Sequence, residues 1–159
     1  MRPGPGGAPP GRAEIMSGTF MHTDIALGYA PMDHIHEEFV TLSAALQDAR
    51  DEDLAARLAL MEAHLKAHFG QEDAWMVQTG FPPRDCHIKE HAAVLTSVSE
   101  VRSLLGQGDF RACRELARAL AEWFPGHATH LDSALAHWMC KQRFGAKPLV
   151  FRPQQLTKP

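Results

Sequence analysis

No Cys-x-x-Cys pair occurs in this chain, and its three cysteines, Cys86, Cys113 and Cys140, stand far apart. An odd number without metal spacing argues against both a disulfide framework and a structural zinc ribbon. An excess of charge of one sign is missing too. A formal net charge of −3 and a pI near 6.3 give no electrostatic reason to expect nucleic acid or an anionic membrane surface as a partner. No run of about eighteen apolar residues exists, so no membrane-spanning helix is expected. The opening MRPGPGGAPPGR lacks the apolar segment of a secretory signal, which makes a reducing cytoplasm the default expectation. No segment alternates at period two for long enough to read as a strand. Tyrosine occurs once. Histidine occurs 10 times, and that excess needs a location, because histidine is a common metal ligand and the usual acid–base residue near neutral pH.

The length of 159 residues suits one compact domain. Residues 1–18 are rich in glycine and proline and are expected to form a disordered tail. Residues 144–159, with three prolines, are expected to form a second tail. Between them, residues 30–143 show helical periodicity in four segments. The spacing predicts helices over about Asp33 to Arg50, Leu54 to Gln78, Asp85 to Gly106 and Asp109 to Arg143, the last interrupted at Pro125-Gly126. Four helices with short joints imply an all-α, antiparallel up-down-up-down four-helix bundle.

A helix turns roughly 100° per residue, so each polar side chain can be placed against its apolar stripe. In the first segment Met32, Ile35, Phe39, Leu42, Ser43 and Leu46 share a face, with His36 at its edge and His34 pointing away. In the second, His68 and Glu72 fall within the stripe of Leu54, Leu58, Met61, Leu65 and Met76, and His64 is at its rim. In the third, His87 and His91 lie on the stripe of Val94, Val98, Val101 and Leu105, one turn apart. In the fourth, His127 is near the centre of a stripe read as Leu116, Leu120, Trp123, Ala134 and Trp138. A lone histidine on an apolar face is ordinarily a hydrogen-bonded core residue. Five imidazoles and a carboxylate aimed at one interior are not, because an unpaired buried carboxylate costs several kcal/mol. Bundle interiors built this way hold metals. Asp132 follows His127 by five residues, roughly 140° away on a regular helix, and so points outward by periodicity. A π-bulge, or a distortion seeded by Pro125 and Gly126, would swing it inward.

The segments Asp33-His34-Ile35-His36, HFGQE (68–72), HIKEH (87–91) and HATHLD (127–132), in that order, resemble the hemerythrin family in its bacterial single-domain form. Phe39, Phe69, Met76 and Trp123 agree as neighbours, and the likeness runs from about residue 30 to 143. Myohemerythrin is a known up-down bundle, so the resemblance implies the fold as well. It further implies a non-haem di-iron site. His87, His91 and His127 would hold one iron, and His36 and His68 the other. Glu72 and Asp132 would bridge them beside an oxo or hydroxo group. The first iron is then full, and the second keeps one position open for dioxygen. Phe124, where a leucine is common, and Trp123 are expected at the oxygen pocket. Pro125-Gly126 and Ala128 are departures from the family pattern. Surface roles are expected for His34 and His64, and His137 is expected to be a surface or a hydrogen-bonded histidine, while His130 is left open between a surface residue, a partner of a ligand and a substitute ligand.

The function implied is reversible dioxygen binding by a carrier, store or sensor. One alternative is an enzyme using the same centre on peroxide or nitric oxide, or in iron–sulfur cluster repair. Another is a bundle that binds zinc or iron for structure alone, or no metal. Ferritin-like Glu-x-x-His repeats are absent.

Overall fold

The computed structural model describes residues 25–145. Both expected tails, except for Phe144 and Gly145, lie outside the described residues.

Helix α1 spans Ala30–Gln47. It starts three residues earlier than the periodicity suggests, because Pro31 fits the first turn, where its missing N–H is no loss. Asp33 accepts hydrogen bonds from the backbone N–H groups of Leu27 (2.6 Å) and Gly28 (3.0 Å), tying the preceding segment to the helix. A short 3-10 turn, Asp51–Asp53, leads into α2, Leu54–Thr79. Gly80 ends α2 in the left-handed region at φ 66°, where a side chain is strained, and Phe81 N–H bonds back to Met76 C=O. Helix α3 is Arg84–Gly106, after Pro82-Pro83. Helix α4, Phe110–His127, is capped by the Asp109 carboxylate on Ala112 N–H at 2.9 Å.

The break expected at Pro125-Gly126 is not there. The helix runs straight through Pro125 and departs from α geometry three residues later, as a π-turn over Ala128–Asp132 that continues into α5, Ser133–Phe144. Proline removes one N–H and crowds the carbonyl four residues back, but a helix can absorb this locally. The π-turn also corrects the stripe read beyond it. Ala134 is exposed and Trp138 half-buried, whereas Leu135, Ala136, Met139 and Cys140 are buried. The π-turn adds one residue to its turn, so every later side chain is rotated by one position relative to an uninterrupted α-helix.

Consecutive helices pack against each other and α4 closes onto α1, giving the expected four-membered bundle with α4, the π-turn and α5 as one rod. Among the described residues there are no strands, and no helix is long and apolar enough to cross a membrane. The core falls into two apolar clusters. One contains Phe39, Leu46, Leu58, Leu65, Phe69, Val98 and Phe124, the other Met32, Met76, Leu135 and Met139. In chain order His36, Glu72 and Asp132 each fall between members of the two, which puts a polar layer across the bundle interior. Outside it, Glu62 on α2 holds Lys66 (2.7 Å) and Arg102 of α3 (3.0 Å), and Arg114 of α4 reaches Asp51 (2.5 Å).

Candidate metal centre

Each helix delivers its share of the polar layer by the arithmetic of its turn. His68 and Glu72 on α2, and His87 and His91 on α3, are spaced four apart and therefore project side by side. His36 comes from α1 and His127 from the end of α4. Asp132 arrives by the π-turn, which brings it back in line with His127; without it the carboxylate would face outward. All seven side chains are buried, none more than 3% exposed.

Their donor atoms form two groups that share both carboxylates. Glu72, His87, His91, His127 and Asp132 present atoms within 4.8 Å of one another, and so do His36, His68, Glu72 and Asp132. Glu72 turns Oε1 to His68 Nε2 (3.0 Å) and His36 Nε2 (3.7 Å), and Oε2 to His91 Nε2 (3.4 Å) and His87 Nε2 (3.6 Å). Asp132 turns Oδ2 to His36 Nε2 (3.1 Å), and Oδ1 to His87 Nε2 (3.0 Å) and His127 Nε2 (3.1 Å). Each carboxylate therefore splits its two oxygens between the two groups.

Two carboxylates that sequence reasoning missed set the histidine tautomers. His91 Nδ1 lies 2.8 Å from Asp73 Oδ1, and His127 Nδ1 lies 3.0 Å from Glu90 Oε1, which also accepts from Trp123 Nε1 at 2.8 Å. A nitrogen facing a carboxylate carries its proton, so the Nε2 lone pairs turn inward. There the Nε2 atoms of His87 and His91 stand 3.3 and 3.2 Å from that of His127. The only sequence signal for these partners was adjacency: Asp73 follows Glu72, and Glu90 precedes His91.

The electrostatics are those of two anions held together out of water. Burial and the neighbouring Asp132 both work against ionisation of Glu72, but the facing imidazoles of His36, His68 and His91 outweigh them and hold it below the usual range. Burial likewise opposes Asp132, and His127, His36 and His87 hold it well below its ordinary value. The counter-effect falls on the imidazoles. Burial lowers His36, yet Asp132 and Glu72 raise it to about 9. His127 is raised in the same way, by Asp132 and Glu90 against burial. Protons and metal ions compete for these nitrogens, and either supplies the positive charge that the pair of carboxylates demands. Protons leave the layer incompletely satisfied: His36 Nε2, Glu72 Oε2 and both Asp132 oxygens are buried without a hydrogen bond. Inward lone pairs on imidazole and carboxylate, shared between two adjacent positions, fit a pair of metal ions.

The family comparison agrees with this geometry. Residues 27–138 match the model of the hemerythrin HHE cation binding domain. The chain is also 38% identical, over 116 residues covering 73% of it and 85% of the relative, to a bacteriohemerythrin of Ralstonia nicotianae. The chain belongs to the hemerythrin family. No solved structure gives a significant match.

Among hemerythrin neighbours named from the sequence, Phe124 lies edge-on to His36 (5.0 Å between centroids) and near His68 (6.4 Å), and it stacks on Phe39 at 4.0 Å. Trp123, also expected at the oxygen pocket, packs on His127 at 4.4 Å. His34, His130 and His137 are exposed. His64, expected at the surface, has a side chain only 8% exposed. Burial first, then the charge of His68, pushes His64 down to about 4 against the upward pull of Glu38.

Proposed function

We propose that this hemerythrin-family chain holds two iron ions in the polar layer and binds dioxygen reversibly, as a carrier, store or sensor. The observation that carries the reading is the division of Glu72 and Asp132, one oxygen of each to either histidine group, which is what two adjacent cations require. His87, His91 and His127 would hold one ion and His36 and His68 the other, with Glu72 and Asp132 available to both. Imidazole and carboxylate suit iron, and two buried anions offset part of the metals' charge.

An iron pair held by these residues would supply the two electrons and the binding site that dioxygen needs. The protein's own contribution is positional. Asp73 and Glu90 fix His91 and His127 from behind, which makes the three-histidine side the rigid one. On the two-histidine side, Phe124 lies edge-on to His36 at 5.0 Å and 6.4 Å from His68, an apolar wall that excludes water there. Exclusion of water and protons favours release of dioxygen over its further reduction.

The test is the visible spectrum of the reduced protein through cycles of aeration and deoxygenation. A band that appears in air and bleaches when oxygen is removed is expected. Absence of any oxygen-dependent band would rule out oxygen binding, and steady turnover of peroxide or nitric oxide would transfer the assignment to an enzyme.

A further inference from the structure

Two of the five clustered histidines are steered from behind by a carboxylate, and both belong to the three-histidine group: His91 by Asp73 and His127 by Glu90. At the other end the corresponding atoms are bare. Nδ1 of His36 and Nδ1 of His68 are buried without a hydrogen-bond partner, as is Nδ1 of His87, the third histidine of the braced group. A histidine that offers Nε2 inward carries its proton on Nδ1, and a buried N–H needs an acceptor.

One turn before His68 on α2 stands His64. The two rings are 5.5 Å apart between centroids, edge to face at 62°. The Nε2 of His64 is also buried and without a partner. Its Nδ1 lies 3.6 Å from Glu38 Oε2 on α1, and the other oxygen of Glu38 lies 3.5 Å from Nε2 of the exposed His34. With a proton on Nδ1 directed at Glu38, His64 Nε2 becomes an acceptor. An unsatisfied donor and an unsatisfied acceptor thus sit on neighbouring rings, at the i, i+4 spacing that brings helical side chains together. His64 belongs to neither donor group, so it is not itself a ligand of the cluster.

We propose that His64 is the positioning residue of His68. With metal bound, His64 Nε2 would take the Nδ1–H of His68, a bond this structure leaves unmade, while Glu38 holds the proton on His64 Nδ1. His68 thereby receives, through an intervening imidazole, the carboxylate bracing that His91 and His127 have directly. This inference rests on the metal-centre reading above.

The experiment uses the full chain with wild type, H64L, H64Q and E38A. Ferrous ion is titrated anaerobically against a competing chelator, and zinc-loaded, nitrogen-15-labelled protein is read by histidine ring NMR. Wild type is expected to bind two ions and to show a protected His68 Nδ1–H signal. In H64L that signal is lost and the weaker of the two sites binds about 10–100-fold less tightly, the usual effect of removing such a partner. H64Q, whose amide oxygen accepts the same bond, restores both readouts, and E38A falls between. E38A alters an exposed side chain, so its comparison with H64Q decides the matter even if H64L does not fold. Wild-type affinity and spectrum in H64L and E38A would overturn the proposal, as would H64Q binding as weakly as H64L. Wild type that takes up no metal would instead bring down the metal-centre reading, and this proposal with it.

Discussion

Truncating Phe124 should destabilise the bundle and open the two-histidine end of the polar layer. The ring is 2% exposed, stacks on Phe39 at 4.0 Å and stands edge-on to His36 at 5.0 Å. Phe124→Ala removes a buried aromatic and leaves a cavity, at a cost of about 3–5 kcal/mol. Phe124→Leu keeps most of the volume and loses mainly the aromatic pairing and some packing, about 1–2 kcal/mol. At roughly 3–5 °C per kcal/mol for a domain of this size, the alanine variant should melt about 9–25 °C lower and the leucine variant about 3–10 °C lower. The assay is thermal denaturation followed by helical circular dichroism. The cavity in the alanine variant would border two imidazoles and so be polar enough to take up water. The reduced, iron-loaded alanine variant should therefore oxidise irreversibly faster than the leucine variant. A loss below about 1 kcal/mol in Phe124→Ala, with an unchanged oxidation rate, would show that Phe124 is not the wall that closes this side.

Asp73→Asn and Glu90→Gln keep the shape of the braces and remove their charge; each should weaken metal binding about 10–100-fold in a competition titration while the metal-free protein stays folded. Wild-type affinity in both variants would show that Asp73 and Glu90 do not brace the ligand histidines. Glu72→Ala and Asp132→Ala each remove a side chain common to both donor groups, so metal analysis should find both ions lost rather than one. Retention of one full equivalent in either variant would contradict the shared-bridge geometry. Glu62 is held below its ordinary pKa, first by the hydrogen bond with Lys66 and also by Arg102, against burial. Its folded-state pKa is the lower one, so its stabilisation is present above the ordinary glutamate range and is lost as pH falls through the depressed value. Glu62→Gln should cost stability in denaturant melts at neutral pH and nothing in strong acid. A pH-independent difference would mean that the Lys66–Glu62–Arg102 contact contributes no charge-dependent stability.

Much of the bundle was legible because its polar residues interrupt the apolar stripes at helical spacing. His68 and Glu72, or His87 and His91, announce a shared face by four-residue separation alone. Asp132 was readable only conditionally, since periodicity places it outside and a π-turn places it inside. The same π-turn shifted the reading of the last stripe, from Ala134 and Trp138 to Leu135 and Met139. A local change of helix type leaves no periodic signature in a stretch of five residues. Asp73 and Glu90 escaped for a different reason: their partners, His91 and His127, lie on other helices or turns, and one sequence carries no distance between them. Burial of His64 is likewise set by the approach of α1, which brings Phe39 and Glu38 over a position that α2 alone leaves at its rim.

Whether Glu72 and Asp132 hold two metal ions between the histidine groups is tested most directly by metal analysis of the protein purified from iron-replete cells. About two irons per chain are expected, one for each histidine group around the shared carboxylates. A folded, fully helical protein that carries no iron, and takes up none when ferrous ion is supplied, would contradict this assignment.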